Sequence, residues 1–386
     1  VVDRAVGGRE EALRMTRAGR GDGDGGRPLA RRIAAALAIA AAAVVAVPAA
    51  GCGRGGVTGT PVAAATPDLP AYRPLAPPPP PLTPAPAPAA DRGPFGASGK
   101  EGTLVPGEEK VLFERPGAGC LNHMWFGGTW PGWGETRIRV YVDGEPEPAI
   151  DMALALGHGL APDVDEADAE SPGAARGNAR FGRTGEPAGV YNTYRMPFER
   201  GVKVTARLAP EVSQPQTFWW NVRGATGLTV RVGDLTLPQG ARLRLRRREA
   251  VRLAPLEELA LLDTGRDGLL YAVALAARSG NADFLQAGLR AYPGGATGPV
   301  WLSSGLADYF LGATDGGAGP SRLPLAGITR RTPSRFAAHR LHEADPIPFA
   351  GGLRLVWRNG EERHGHRYGD PQPTTLTAYV WTYEWE

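Results

Sequence analysis

Short stretches in which apolar and polar residues alternate run through most of the chain after residue 101. Arg137–Val142 reads Arg-Ile-Arg-Val-Tyr-Val and is followed by Asp143-Gly144; Leu353–Trp357 runs into Asn359-Gly360. Val202–Leu208, Leu228–Val232, Ala241–Arg246 and Thr375–Tyr383 have the same short, apolar-rich form. A period of two is that of a strand with one face buried, and Asp-Gly or Asn-Gly after it marks a tight turn. Pro255–Asp263 breaks the pattern: Pro near its start, Leu-Glu-Glu-Leu-Ala-Leu-Leu, and Gly265 beyond its end predict a helix. Many short strands separated by turns predict an all-β protein of two β-sandwich domains, a double jelly roll, over 101–250 and 251–386. No internal repeat is visible at the level of identity.

The first hundred residues follow another pattern. Ile33–Ala50 is continuously apolar, follows Arg31 and Arg32, and ends at Gly51-Cys52. A basic segment, an apolar core and small residues before a cysteine form a bacterial export signal with a lipidation site. Cys52 is the expected lipidation residue, although Ala49 stands where such sites usually carry Leu. Met15 is the expected start, residues 1–52 the signal region, and the location extracytoplasmic, lipid-anchored to a bacterial membrane or, alternatively, secreted. Thirteen prolines between Pro61 and Pro94 make 53–100 an extended, disordered linker.

Composition adds exclusions. Gly (54) and Pro (37) make about a quarter of the 386 residues, matching a tether plus many turns. A net charge of +3 gives no case for nucleic acid. Two cysteines cannot form a disulfide scaffold; Cys120, in an apolar run, reads as an inert buried thiol. No cofactor or metal is expected. His364, His366 and Asp370 read as a polar hairpin loop, and the acidic run Asp163, Asp165, Glu166, Asp168 and Glu170 as a solvated loop.

An ordered set of segments carries a resemblance. It runs through Gly117–Trp125, Arg137–Gly144, Pro148–Asp151, Gly157–Gly159, Tyr194–Phe198, Asp283–Ala287, Leu302–Phe310, Ala326–Thr329, Arg340–Phe349 and Gly352–Trp357. The set resembles the domain-of-unknown-function family 2961, which includes glycoside hydrolase family 172, over nearly all of 101–386. The resemblance implies a double jelly roll, often trimeric, and retaining chemistry on α-D-fructofuranosides and α-D-arabinofuranosides. It also implies catalytic glutamates where this chain has Gln286 and Ala307. A retaining glycosidase needs two carboxyl groups ~5–5.5 Å apart, and neither Gln nor Ala supplies one. The sequence therefore reads as a catalytically impaired relative, a pseudoenzyme that binds a furanoside glycan.

Other residues keep alternatives open. Asp308, in a strand-like run, is a replacement acid or a hydrogen-bonded structural carboxylate; Glu343 and Asp345 are a substitute acid–base pair or a turn before Pro346. Arg340, His342 and Trp125 are the candidate sugar contacts; of Trp125, Trp130, Trp133, Trp219 and Trp220 one or two are expected to form a stacking floor and the rest to be core. An active furanosidase with relocated acids, or a purely structural envelope protein, are the other readings. The expected partners are a carbohydrate and a homotrimer, with membrane contact only through the lipid.

Overall fold

The computed structural model describes residues 92–162, 176–184, 189–312 and 321–386. Among these residues no helix is long and apolar enough to cross a membrane. Cys52, the export signal, nearly all of the proline-rich stretch and the acidic run 163–170 lie outside them.

The first eleven strands are β1 (Pro94–Leu104), β2 (Lys110–Pro116), β3 (Gly119–Gly127), β4 (Arg137–Val142), β5 (Ile150–Ala153), β6 (Arg176–Gly177), β7 (Phe181–Thr184), β8 (Gly189–Asn192), β9 (Met196–Phe198), β10 (Gly201–Arg207) and β11 (Gln216–Ala225). A ribbon, β12 (Arg231–Val232) and β13 (Leu235–Thr236), follows. The second set is β14 (Arg242–Leu253), β15 (Glu258–Thr264), β16 (Asp267–Arg278), β17 (Arg290–Pro293), β18 (Val300–Trp301), β19 (Ser321–Arg322), β20 (Ala326–Arg331), β21 (Arg335–Leu341), β22 (Ile347–Phe349), β23 (Leu353–Arg358), β24 (Glu361–Arg363), β25 (His366–Tyr368) and β26 (Thr374–Trp385). Helix α1 (Leu154–Gly157) follows β5, and α2 (Leu306–Tyr309) follows β18.

The first sandwich joins the sheet β1-β11-β3-β8-β7-β6, with β9 also on β3, to the sheet β2-β10-β4-β5. The second joins β14-β26-β16-β21-β20-β19, with β22 on β16, to β15-β23-β17-β18. The two are the same topology written twice: β1 corresponds to β14, β2 to β15, and so on to β10 and β23. The ribbon β24-β25 is extra, and β26 takes the place of β11. Short 3₁₀ turns, Trp133–Glu135 and Asp283–Gln286, sit after β3 and β16, as α1 and α2 sit after β5 and β18. The duplication is topological, and so escapes a search for identical residues. Its trace in sequence is Arg139-Val-Tyr141 against Arg290-Ala-Tyr292.

The expected all-β double jelly roll is present. Apolar alternation explains most strands, and β4 shows why. In β4, Ile138, Val140 and Val142 are buried in the first core while Arg137, Arg139 and Tyr141 point outward. After β4, Asp143 and Gly144 take φ of 57° and 76°, the left-handed pair that a tight hairpin turn needs. The strands β16 and β26 do not alternate, because both faces are buried. Leu270, Val273, Leu275, Leu376, Ala378 and Val380 belong to the second core; Tyr271, Ala274, Tyr379, Trp381 and Tyr383 belong to the first. A strand buried on both sides reads as a continuous apolar run.

Four expectations change. The segment 255–263 is no helix: Leu256 turns the chain at φ 64°, and β15 pairs with β23 through a bulge between Ala260 and Leu262. The bulge buries both Leu261 and Leu262, and two adjacent buried leucines mimic a helical face. The fold begins before residue 101. β1 pairs with β11 from Pro94↔Ala225 onward, and Phe95 stacks on Phe113 at 5.9 Å. Pro94 is tolerated because it opens an edge strand. The second sandwich begins with β14 at Arg242 rather than at 251, and Leu228–Val232 forms a strand only at Arg231–Val232.

Candidate functional site

Gln286 ends the 3₁₀ turn Asp283–Gln286, and Ala307 lies in α2; the turn and α2 pack on each other. Gln286 is half-buried, but Ala307 has 0% exposure. With no surface on Ala307, the two positions do not face one another across an open cleft. Asp308 is helical, not in a strand. Its carboxylate accepts hydrogen bonds from the Ser304 N–H (2.9 Å), the Ser304 hydroxyl (2.9 Å) and the Gly305 N–H (2.6 Å). It caps the start of α2, as the structural reading expects.

The other sugar-facing candidates are engaged in the fold. His342 is 1% exposed, with Nδ1 3.2 Å from Asp345 Oδ2 and Nε2 2.7 Å from the Tyr309 hydroxyl. Asp345 is an acceptor, so Nδ1–H donates to it, and the Tyr309 hydroxyl donates to Nε2. Arg340 donates to the Tyr309 carbonyl (2.5 Å), pairs with Asp345, and lies 5.3 Å from the centre of the Tyr309 ring. Burial alone would raise the Asp345 carboxyl, but His342 and Arg340 outweigh it and hold it below its ordinary value. A carboxylate so held is no general acid near neutral pH. Glu343 accepts the single Arg180 Nε–H across both carboxylate oxygens, at 2.7 and 2.8 Å, and the Tyr271 hydroxyl at 2.9 Å, tying the first sandwich to the second.

Trp125 is half-buried on the outer face of β3, and a Cβ at Gly127 or Gly189 would collide with its ring. The ring covers bare glycine backbone. Trp130 and Trp133 are core residues, and Trp220 covers Gly99 and Gly102 while donating to the Leu112 carbonyl at 3.1 Å. Cys120 is 2% exposed, and burial pushes its thiol up to about 11. His364 and His366 stand in and after the turn of the β24-β25 ribbon. Among the described residues no group of His, Cys, Asp and Glu is arranged to hold a metal ion.

Sequence reasoning missed a cluster on the outer face of β4. Asp151, on β5, is 7% exposed and is approached by three guanidiniums: Arg137 Nε at 2.9 Å, Arg247 Nη2 at 2.8 Å and Arg139 Nε at 3.3 Å. Arg137 and Arg247 also pair with Glu249 at 2.6 and 2.9 Å, and Arg139 pairs with Glu109. Glu249 accepts from the Tyr379 hydroxyl at 2.7 Å; Glu109 accepts from Thr205 at 2.6 Å and Tyr141 at 3.0 Å. Burial opposes both charges, yet these partners hold Glu249 and Glu109 below the ordinary carboxyl value. A concavity of about 330 Å³ opens beside Asp151, lined by Arg139, Tyr141 and Arg247 among others. The available signal was the polar half of the alternation, Arg137-x-Arg139-x-Tyr141, read only as a solvent face.

Comparison with known proteins gives one family match. The family model described as "GH172 first beta-sandwich domain" matches residues 96–225. No curated protein matches the chain. Solved structures that superpose include the STIV MCP, at 6% identity and TM-score 0.38, over 75% of this chain and 96% of that one. The major capsid protein P2 from bacteriophage PM2 superposes at 10% identity and TM-score 0.35, over 75% and 97%.

Proposed function

With residues 96–225 matching the GH172 first beta-sandwich domain, we propose that this chain is a glycosidase relative that binds a furanoside glycan without cleaving it. The observation that supports it is Gln286 and Ala307, neutral side chains where the family resemblance implies the two carboxylates. Gln cannot protonate a leaving group or form a glycosyl ester, and Ala can do neither. The nearby acids offer no substitute: Glu343 is held by Arg180 and Tyr271, Asp345 by His342 and Arg340, and Asp308 caps α2. The proposal includes a lipid anchor at Cys52, an extracytoplasmic location and a homotrimer.

The test is hydrolysis together with binding. The full chain should release no 4-nitrophenol from aryl α-arabinofuranosides and no fructose from α-fructofuranosides, while calorimetry with the same sugars registers heat of binding. Turnover that persists in Gln286→Ala and vanishes in Glu343→Gln would instead identify an active enzyme with relocated acids.

A further inference from the structure

We propose that the outward face of the β2-β10-β4-β5 sheet is the saccharide site, and that it takes an uncharged, hydroxyl-rich ligand. This deepens the carbohydrate-binding reading and rests on it.

The argument begins with shape. The concavity beside Asp151, about 330 Å³, falls at the small end of the roughly 300–1,000 Å³ typical of small-ligand sites. Pro146, Pro148 and Leu245 supply apolar wall. A second concavity, of about 550 Å³, is lined by Glu114, Glu145, Arg115, Arg200 and Lys203, and Tyr141 lines both. The two hollows flank one aromatic side chain, the arrangement an extended sugar chain would use. The Lys203 ammonium stands 4.5 Å from the centre of the Tyr141 ring.

Charge narrows the ligand. Arg137, Arg139 and Arg247 are matched by Asp151, Glu249 and Glu109, so the cluster is balanced. In the hollow beside Asp151 an anion would have to displace a carboxylate already paired to a guanidinium, leaving that carboxylate desolvated. A neutral sugar faces no such cost. Its hydroxyls both donate and accept, and here guanidinium donors and carboxylate acceptors stand side by side. Arg139 Nε, buried, faces Asp151 Oδ2 at 3.3 Å without a well-formed hydrogen bond.

The duplicated sandwich supplies a comparison within the molecule. In the second copy, Arg290 and Tyr292 stand for Arg139 and Tyr141, Arg354 lies 4.2 Å from the Tyr292 ring, and Glu258 pairs with Arg290. The facing position differs: Arg139 is opposite Asp151, whereas Arg290 is opposite Trp301 and takes its buried carboxylate from Glu361 of the extra ribbon at 2.8 Å. The Trp301 ring has Arg290 at 4.7 Å and Arg363, from the extra ribbon, at 4.2 Å. The second copy therefore sets a bulky ring where the first has a carboxylate beside a hollow, and the first copy is the one left able to take a ligand.

The experiment is calorimetry on the full chain with three probes: methyl α-D-arabinofuranoside, a linear arabinotetraose, and tetragalacturonate as the anionic control. Tyr141→Ala should weaken binding of the arabinotetraose at least tenfold, Tyr141→Phe less than threefold, and Tyr292→Ala less than twofold. As a second readout on the wild type, arabinotetraose should slow acetylation of Lys203 and leave Lys110 unchanged; this holds even if Tyr141→Ala does not fold. Binding that survives Tyr141→Ala with Lys203 unprotected would overturn the site and leave carbohydrate binding standing. Tighter binding of tetragalacturonate than of arabinotetraose would overturn the choice of a neutral ligand. Heat from none of the three would overturn the site together with the furanoside reading beneath it.

Discussion

Two buried histidines set the acid limit of the protein at the residue scale. His158 gives its Nδ1–H to the Leu154 carbonyl (2.7 Å) and accepts at Nε2 from the Asn192 amide (2.9 Å). His339, on β21, gives its Nδ1–H to the Gly159 carbonyl (3.1 Å) of the first sandwich. Burial pushes both down to about 4, against the slight opposing pull of those carbonyls. The unfolded chain therefore takes up these protons near pH 6.5, whereas the folded chain resists until about 4. Stability they confer is complete above the unfolded value and is lost as pH falls from there toward the folded one. Each contributes on the order of 3 kcal/mol at full swing. The expected outcome is a melting temperature that drops between pH 7 and 4.5, and a shallower drop for His339→Asn. A flat profile in that interval would show that neither ring resists protonation. Carboxylates held low by partners, such as Asp143 and Glu145, lose their contribution below that window.

At the scale of elements, legibility followed the number of buried faces. β4 and β10 have one buried face, and the alternation Ile138, Val140, Val142 located β4 to the residue. β15 reads as a helix in the sequence because its bulge makes Leu261 and Leu262 both buried, a tertiary effect that no local pattern records. The candidate site was legible as a set of residue types, not as an arrangement. Arg340 and His342 are expected as sugar contacts, and in the fold their side chains engage Tyr309 and Asp345, an arrangement that sequence spacing does not record. Asp151 and Glu249 are far apart in sequence and meet only because β14 crosses beside β5. β1 carries the prediction at this scale. A chain beginning at Gly102 lacks the pairs from Pro94↔Ala225 to Gly99↔Trp220 and the Phe95–Phe113 stack. Its melting temperature should lie at least ~2 °C below that of a chain beginning at Arg92, since ~1–2 kcal/mol shifts a cooperative unit of this size by about 2–3 °C. Equal melting temperatures would mean that the first half of β1 adds no stability.

The two sandwiches share side chains to a degree that makes them one unit at the scale of the whole molecule. Tyr271, Trp381 and Tyr383 leave the sheet of the second sandwich to complete the first core, where the Tyr194 ring lies 6.2 Å from Tyr271 and 5.7 Å from Trp381. The Tyr383 hydroxyl donates to the Arg195 carbonyl at 2.8 Å, and Arg180 holds Glu343. Loss of either sandwich would strip apolar surface from the other. Scanning calorimetry should therefore give one transition, with calorimetric and van't Hoff enthalpies equal. Two resolved transitions would show that the sandwiches melt independently.

The place of β26 has a consequence for how the chain is made. It lies between β14 and β16, hydrogen-bonded to both. A ribosome delivers β14 and β16 long before Thr374–Trp385, while every strand of the first sandwich has been delivered once Ala225 emerges. Throughout the interval between, the growing chain carries a gap in the middle of a sheet, with two strand edges turned toward it. Such edges recruit strands from other chains. The hazard in biogenesis therefore concentrates late, and a folding helper that shields β14 and β16 would be needed only until β26 arrives to fill the gap.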